Sequence, residues 1–335
     1  MKKLTILISI LLVAALCVSA GCTSTTTTTE GLKITNSDGS TVTLSDNPER
    51  IVLLNSNAGE ILYLLGSADK VIGISQSIAN TEDGKKMYPN AKVVGTWNEP
   101  DVEYLVSLDA DLVIGYATSK PKNAEVLAAA GIPIVYIDCT KPATMASDIK
   151  EIGKLAGNEK KATEIADYYT DTMNKVSDVA QRIDAIPQSI YAESYTAYYA
   201  QGTNSGMGQL ITLTGGENIL NETGTPKVSD EWVVTSNPDI IVKLVNSMNN
   251  ADSVSNEITK RTGFDRISAV KNNNVWIIRN DITYGPRSCA AAVALLQIQH
   301  PDVLPGMSAE SVLTEFNQKF GTSFDTENLI YHTSA

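Results

Sequence analysis

The sequence predicts an α/β protein of two doubly wound α/β lobes joined by a single long α-helix, with a ligand cleft between the lobes. Three observations carry that prediction. The stretch Asn158–Ile186 has a helical apolar repeat with neither Gly nor Pro inside it. Strand-like apolar runs alternate with helical patterns on either side of it. A short segment of the first half recurs in kind in the second.

In the long stretch, Ala162, Ala166, Tyr169, Met173, Val176, Ala180 and Ile183 follow one another at gaps of 3 or 4. One stripe therefore faces a core and the rest meets water. Asn158 supplies an N-cap, Glu159 suits the positive end of the helix dipole, and Pro187 follows the last turn. Such a helix spans about 40 Å, the width of a lobe. The chain divides accordingly into an N-terminal lobe at 32–156, the interlobe helix at 157–186 and a C-terminal lobe at 187–335.

In chain order, Lys33–Leu44 reads as a hairpin around Asp38-Gly39, a two-residue turn signal. Ile51–Leu54 is a short buried strand, followed by Asn55-Ser56-Asn57 and a helix Ala58–Leu65 closed by Gly66. Val71–Ile74 and Lys92–Val94 are strands, and Asp101 opens a short helix through Leu108. Leu112–Ile114 is the continuous apolar run of a strand buried on both faces. A helix Lys122–Ala130 ends at Gly131, and Ile132–Ile137 is the next strand. The second half repeats the grammar, with strands at Ser189–Glu193, Ala197–Ala200, Asp239–Val242 and Asn274–Ile278 and helices at Met207–Thr214 and Pro286–Gln299.

The recurring segment is Asp101–Ile114 in the first lobe and Ser229–Val242 in the second. Each places a glutamate, Glu103 or Glu231, in the first turn of a short helix, and each follows it after eight residues with an aspartate, Asp111 or Asp239, before a buried strand. One such glutamate is ordinarily a partner of the helix dipole. A matched pair, one per lobe, offers a two-fold symmetric partner a rigid pair of carboxylates.

The 335 residues suffice for two domains, and 43% hydrophobic with 19% charged is ordinary globular composition. A net charge of −12 argues against nucleic acid as a partner. Residues 1–21 read as a signal peptide, with Lys2 and Lys3, the apolar run Leu4–Val18 and then Ser19-Ala20-Gly21 before Cys22. Small residues directly before a cysteine resemble the lipobox of secreted lipoproteins, which would make Cys22 the lipidated first residue and leave the mature charge at −14. The threonine-rich residues 22–31 then form a solvated tether. Cys139 and Cys289 are expected as two buried thiols, although an oxidising compartment permits a disulfide.

The chain resembles the substrate-binding lipoproteins of ABC importers for iron(III)-siderophores, haem and cobalamin. The resemblance rests on Pro48-Glu49-Arg50-Ile51-Val52, Glu60–Gly66 followed by Val71-Ile72-Gly73, Leu108–Ile114, Gly131–Val135, Gly215–Ile219, Ala269-Val270-Lys271 and His300-Pro301. It implies a monomeric protein on the outer face of the cytoplasmic membrane, with a permease and its ATPase as partners. It also implies that Glu103 and Glu231 dock onto permease arginines. The sequence departs from the family at Asp109-Ala110, where Lys-Pro is frequent before the first aspartate of the strand.

Ligands of doubly wound lobes lie at the carboxyl ends of strands. The candidates are therefore Asn55, Ser56, Asn57, Gln76, Trp97 and Tyr116 from the first lobe and Tyr195, Tyr198, Tyr284 and Arg287 from the second. Trp97 offers a stacking face, and Arg287 a cation for catecholate, carboxylate or phosphate on a metal chelate, unless it is a structural arginine. His300 and His332 are the only histidines, and neither follows a strand, so a bare-metal site or a histidine-ligated haem is disfavoured. No cofactor is expected. An enzyme lacks support, because no histidine pairs with a nucleophile in a known pattern and no glycine loop cradles phosphate. The expected guest is an iron(III)-siderophore, with cobalamin next and haem after it; a surface-anchored scaffold or adhesion protein is the rival of another class.

Overall fold

Alternate residues of the central strands go to opposite sides of each sheet, and both sides are buried. In the computed structural model, which describes residues 31–332, Ile51 and Leu53 face one core while Val52 and Leu54 face another. Ile240, Val242 and Leu244 part from Ile241 and Val245 in the same way. A strand apolar on both faces needs cover on both, which is the doubly wound arrangement the sequence predicts.

The chain opens with an antiparallel hairpin, β1 (Leu32–Thr35) and β2 (Thr41–Leu44). Its turn is wider than the predicted two residues. Pairing stops at Thr35 and Thr41, and the loop closes through the Asn36 N–H donating to Ser40 O at 2.8 Å. Next come β3 (Ile51–Leu53), β4 (Val71–Ile74), β5 (Lys92–Val93), a small ribbon of β6 (Gly95–Thr96) and β7 (Glu99–Pro100), then β8 (Leu112–Gly115) and β9 (Ile134–Tyr136). Five of these form an all-parallel sheet in the order β5-β4-β3-β8-β9. The second sheet takes β10 (Ser189–Glu193), β11 (Glu217–Asn218), β12 (Ile240–Val245), β13 (Val275–Arg279) and β14 (Ile330–His332) in the order β11-β10-β12-β13-β14, with only β14 antiparallel. Each sheet starts in an interior strand, winds outward on one side and returns on the other. The switch points lie between β3 and β8 and between β10 and β12, where ligand crevices open in such sheets.

The long helix runs Glu159–Ala180, with the Asn158 side chain accepting the Lys161 N–H at 3.4 Å. It buries Ala162, Ala166, Tyr169, Met173 and Val176 as the spacing predicts, and Ile165, Tyr168 and Thr172 as well. It stops short of the predicted Ile186. Pro187 disfavours helical backbone at the residue before it, and Ile186, 90% exposed, has no core to pack on. A second helix, Pro142–Ala156, lies beside it and was not read in the sequence. Their approach is close at Gly153, where a Cβ would fall 2.3 Å from that of Ala162.

Helices Ala251–Thr259 and Ala309–Phe320 and strand β14 also complete the C-terminal lobe without having been anticipated. The predicted strand Ala197–Ala200 makes only isolated bridges, Ala200 to Glu193 and Tyr199 to Lys227. Tyr198 has φ +67°, and the turn folds back so that the Ser194 N–H donates to Tyr199 O at 2.8 Å.

One core runs from the strands of the first lobe through the long helix into those of the second. At the base of the cleft, the Gly285 N–H donates to Cys139 O at 3.0 Å, and a Cβ on Gly206 would fall 2.2 Å from Thr140 O. Cys139 and Cys289 are buried free thiols, and burial pushes Cys289 up to about 12. No helix among the described residues is long and apolar enough to cross a membrane. The predicted signal peptide, the lipidation site Cys22 and nearly all of the tether lie outside the described residues.

Candidate ligand cleft and docking carboxylates

On the N-terminal side the switch point is closed by an amide. Asn55 is fully buried and caps the helix Ser56–Leu64, its Oδ1 accepting the N–H groups of Asn57 at 2.9 Å and Ala58 at 3.3 Å. Its Nδ2 donates to Ile137 O at 2.5 Å and Asp138 O at 3.1 Å. The expectation that Asn55 touches a ligand is thereby corrected, since it spends its amide joining β3 to the chain after β9. Asp138 in turn accepts from the Ala117 and Thr118 N–H groups at 2.8 and 3.0 Å, fixing the loop that carries Tyr116. Ser56 Oγ lies 3.3 Å from the Tyr116 hydroxyl, and Trp97 meets the Tyr116 ring edge-on with centroids 6.0 Å apart. Desolvation raises the Tyr116 phenol above its ordinary pKa. Gln76 is exposed at the carboxyl end of β4, and Asn57 is half-buried beside Gly285.

The facing groups of the C-terminal lobe are aromatic and then ionic. Burial pushes the Tyr284 phenol up to about 12, with Tyr195 and Tyr116 adding to the rise. Tyr195 is 58% exposed and borders a cavity of about 280 Å³ at the second switch point, lined also by Lys243, Asn246, Ser247, Asn250 and Arg261.

Beneath the cavity, Glu193 accepts from Lys243 Nζ at 2.8 Å, from Arg261 Nη1 and Nη2 at 2.7 and 3.0 Å, and from the Tyr191 hydroxyl at 2.8 Å. Desolvation pushes the Glu193 carboxyl up, but the hydrogen bonds from Arg261 and Lys243 outweigh it and hold the group below the usual range. Tyr198, rather than opening to the cleft, lays its ring 4.5 Å from the Arg261 guanidinium. Glu193, Lys243 and Arg261 were missed in the sequence. The available signal was Lys243, the lone charge in a strand buried on both faces, which requires a carboxylate partner; Glu193 is its Cα partner in the sheet register.

Arg287 is corrected from a cleft cation to a buried link between lobes. Its Nε lies 3.0 Å from both oxygens of Glu60 and its Nη2 2.8 Å from one of them. Its Nη1 donates to Asp281 at 2.9 Å and lies 3.3 Å from Asp83, and Phe324 covers the guanidinium at 4.3 Å. Its cationic end is thus held by protein carboxylates, and Glu60 is too distant in sequence for spacing to suggest the pair.

The matched segments fold alike. Asp101 caps its helix by accepting the Tyr104 N–H at 3.0 Å, and Ser229 caps its own by accepting that of Trp232 at 3.2 Å. Asp109 and Asn237 both take the left-handed region, at φ +49° and +44°. Two residues on, Asp111 accepts the Glu49 and Arg50 N–H groups ahead of β3, and Asp239 accepts the Ser189 N–H at the start of β10. Each helix runs antiparallel to the strand that follows it, so its first turn lies at the carboxyl end of the sheet. Glu103 and Glu231 stand there, exposed, and neither makes an ion pair among the described residues.

His332 stacks on Trp276 at 4.0 Å, and His300 ends the helix Ser288–Gln299. Among the described residues no three His, Cys, Asp or Glu side chains gather as a metal site.

A family model described as periplasmic binding protein matches residues 51–282. An uncharacterized ABC transporter substrate-binding lipoprotein of Bacillus subtilis is 29% identical over 287 residues, 82% of this chain and 88% of the relative. A vitamin B12-binding protein of Yersinia pestis is 28% identical over 198 residues, 58% of this chain and 69% of the relative. Among solved structures, the periplasmic binding protein FepB of Veillonella parvula superposes with a TM-score of 0.74 at 24% identity, covering 90% of this chain and all 100% of that one.

Proposed function

Because the chain belongs to the periplasmic binding protein family, as an extracytoplasmic substrate-binding component of the ABC importer class, we propose that it captures an iron(III)-siderophore-type metal chelate between its lobes and delivers it to the permease. The observation that supports this reading is the aromatic pair of Trp97 and Tyr116 beside Ser56 at the N-terminal strand ends, with Tyr195 at the cavity of the other lobe and no metal-ligand cluster among the described residues. Aromatic faces with polar tips suit a guest that brings its own metal ligands and presents a broad organic shell. Cobalamin is the second reading, favoured by the vitamin B12-binding relative.

For delivery, the reading rests on the pair Glu103 and Glu231, in capped helices, exposed and without an ion pair among the described residues. They would meet arginines of a two-fold symmetric permease as charge-assisted pairs. Reversing both, with Glu103→Lys and Glu231→Lys, should reduce uptake of the bound chelate to background while its affinity for the isolated protein stays within about twofold. Uptake at the wild-type rate would sink the docking role.

A further inference from the structure

Five of the loops at the carboxyl ends of the strands begin with uncharged stretches. Residues 54–57 after β3, 75–81 after β4, 116–119 after β8, 194–205 after β10 and 246–250 after β12 contain no Asp, Glu, Lys, Arg or His. The loops after β9 and β13 do carry charges, Asp138, Lys141, Asp281 and Arg287.

Most of the charges that border the cleft are answered within the protein, Lys141 after β9 being without an ion pair among the described residues. Lys243 and Arg261 have side chains 7% and 5% exposed and both bind Glu193, while Glu257 adds a second carboxylate 3.6 Å from Arg261. Arg287 is held by Glu60 and Asp281. Asp138 is committed to backbone N–H groups, and Glu99 beyond Trp97 pairs with Lys122 at 3.4 Å. Beyond these charges and the exposed Glu257 at the cavity wall, what remains toward a guest is neutral and polar, drawn from asparagine, serine, glutamine and tyrosine.

We propose that the cleft selects an uncharged metal chelate whose shell offers amide or hydroxamate oxygens to these neutral donors. This rests on the metal-chelate reading above. A polyanionic chelate would shed its hydration on entry while Lys243, Arg261 and Arg287 are already bound to protein carboxylates, and the −12 charge of the chain would oppose its approach. An amide or hydroxamate oxygen exchanges water for an N–H or O–H at little net cost. Two sources share that chemistry, a neutral ferric tris-hydroxamate and a corrinoid with amide arms.

The test is equilibrium titration of the full chain with four probes: ferrichrome, cyanocobalamin, the trianionic ferric enterobactin and the dicarboxylate haemin. One neutral probe should bind at least about tenfold tighter than either anion, with a Kd that changes less than about twofold between about 50 and about 500 mM salt. Which neutral probe wins identifies the source. An anion that binds within tenfold of the better neutral probe, or a steep salt dependence of the tightest guest, overturns the inference while leaving the importer reading intact. Silence of all four with a folded protein removes the metal-chelate reading, and this inference with it.

Discussion

At the end of β3 the N-terminal lobe closes its switch point with an amide, Asn55, whereas at the end of β10 the C-terminal lobe closes its own with a carboxylate, Glu193. Asn55 satisfies two N–H groups and two carbonyls without burying a charge. Glu193 gathers an ammonium, a guanidinium and a phenol, and all three ionic side chains are nearly inaccessible. The neutral closure costs little desolvation and contributes little per bond. The ionic closure is strong only while it is whole, because any missing partner leaves a buried charge uncompensated.

The largest effect should separate these closures. Glu193→Gln keeps the shape and removes the charge, stranding Lys243 and Arg261, and should cost about 3–5 kcal/mol in urea unfolding. Asn55→Ala loses a cap and exposes two carbonyls to an apolar wall, for about 1–3 kcal/mol. Equal losses would show that the two switch points are held alike after all.

The same contrast explains what could be read from the sequence. Periodicity placed the long helix, the buried strands and the matched glutamates, since each is a local pattern with a burial consequence. The helix gives way after Ala180 to the tighter turns that the Arg182 and Ile183 N–H groups close ahead of Pro187, with Ile183 still packed on the core, an ending the apolar repeat does not record. Asn55 was found as a strand-end residue, but its amide was claimed by carbonyls beyond β9. Arg287 was legible as a cation after a strand, yet its role depends on Glu60 in the other lobe. Lys243 was the reverse case, visible as an anomaly in an aliphatic strand and passed over.

Acid should act on the lobes with opposite sign. The folded pKa of Glu193 is depressed, so its contribution is full above the unfolded value of about 4.3 and is lost as pH falls through the folded value. In the N-terminal lobe, burial raises Asp148 despite bonds from Ser37, Cys139 and Thr144. Its contribution is therefore present below the unfolded value of about 3.9 and lost as pH rises through the folded one. Lowering the pH from 7 toward about 3 should weaken amide-exchange protection in β10 and β12 by on the order of 1 kcal/mol while sparing or strengthening the helix Pro142–Ala156. Parallel loss in both regions would erase the distinction.

The smallest effect lies in the two matched turns. Asp109 and Asn237 hold the same left-handed backbone, a conformation that costs any L-residue energy and glycine almost none. Asn237 answers that cost, since its Oδ1 accepts the Ser268 N–H at 2.8 Å and lies 3.2 Å from the Ser268 hydroxyl. Asp109 is exposed, and its side chain makes no hydrogen bond or ion pair among the described residues. Asp109→Gly should therefore raise the stability by about 0.5 kcal/mol, the relief of strain exceeding the entropy glycine adds to the unfolded chain. Asn237→Gly forfeits its hydrogen bonds for the same relief and should be neutral or destabilised by up to about 1 kcal/mol. Thermal unfolding of the two variants reads the difference directly, with the first melting above the wild type and the second not. If both melt higher, the bond to Ser268 carries no stability, and the turns differ only in sequence.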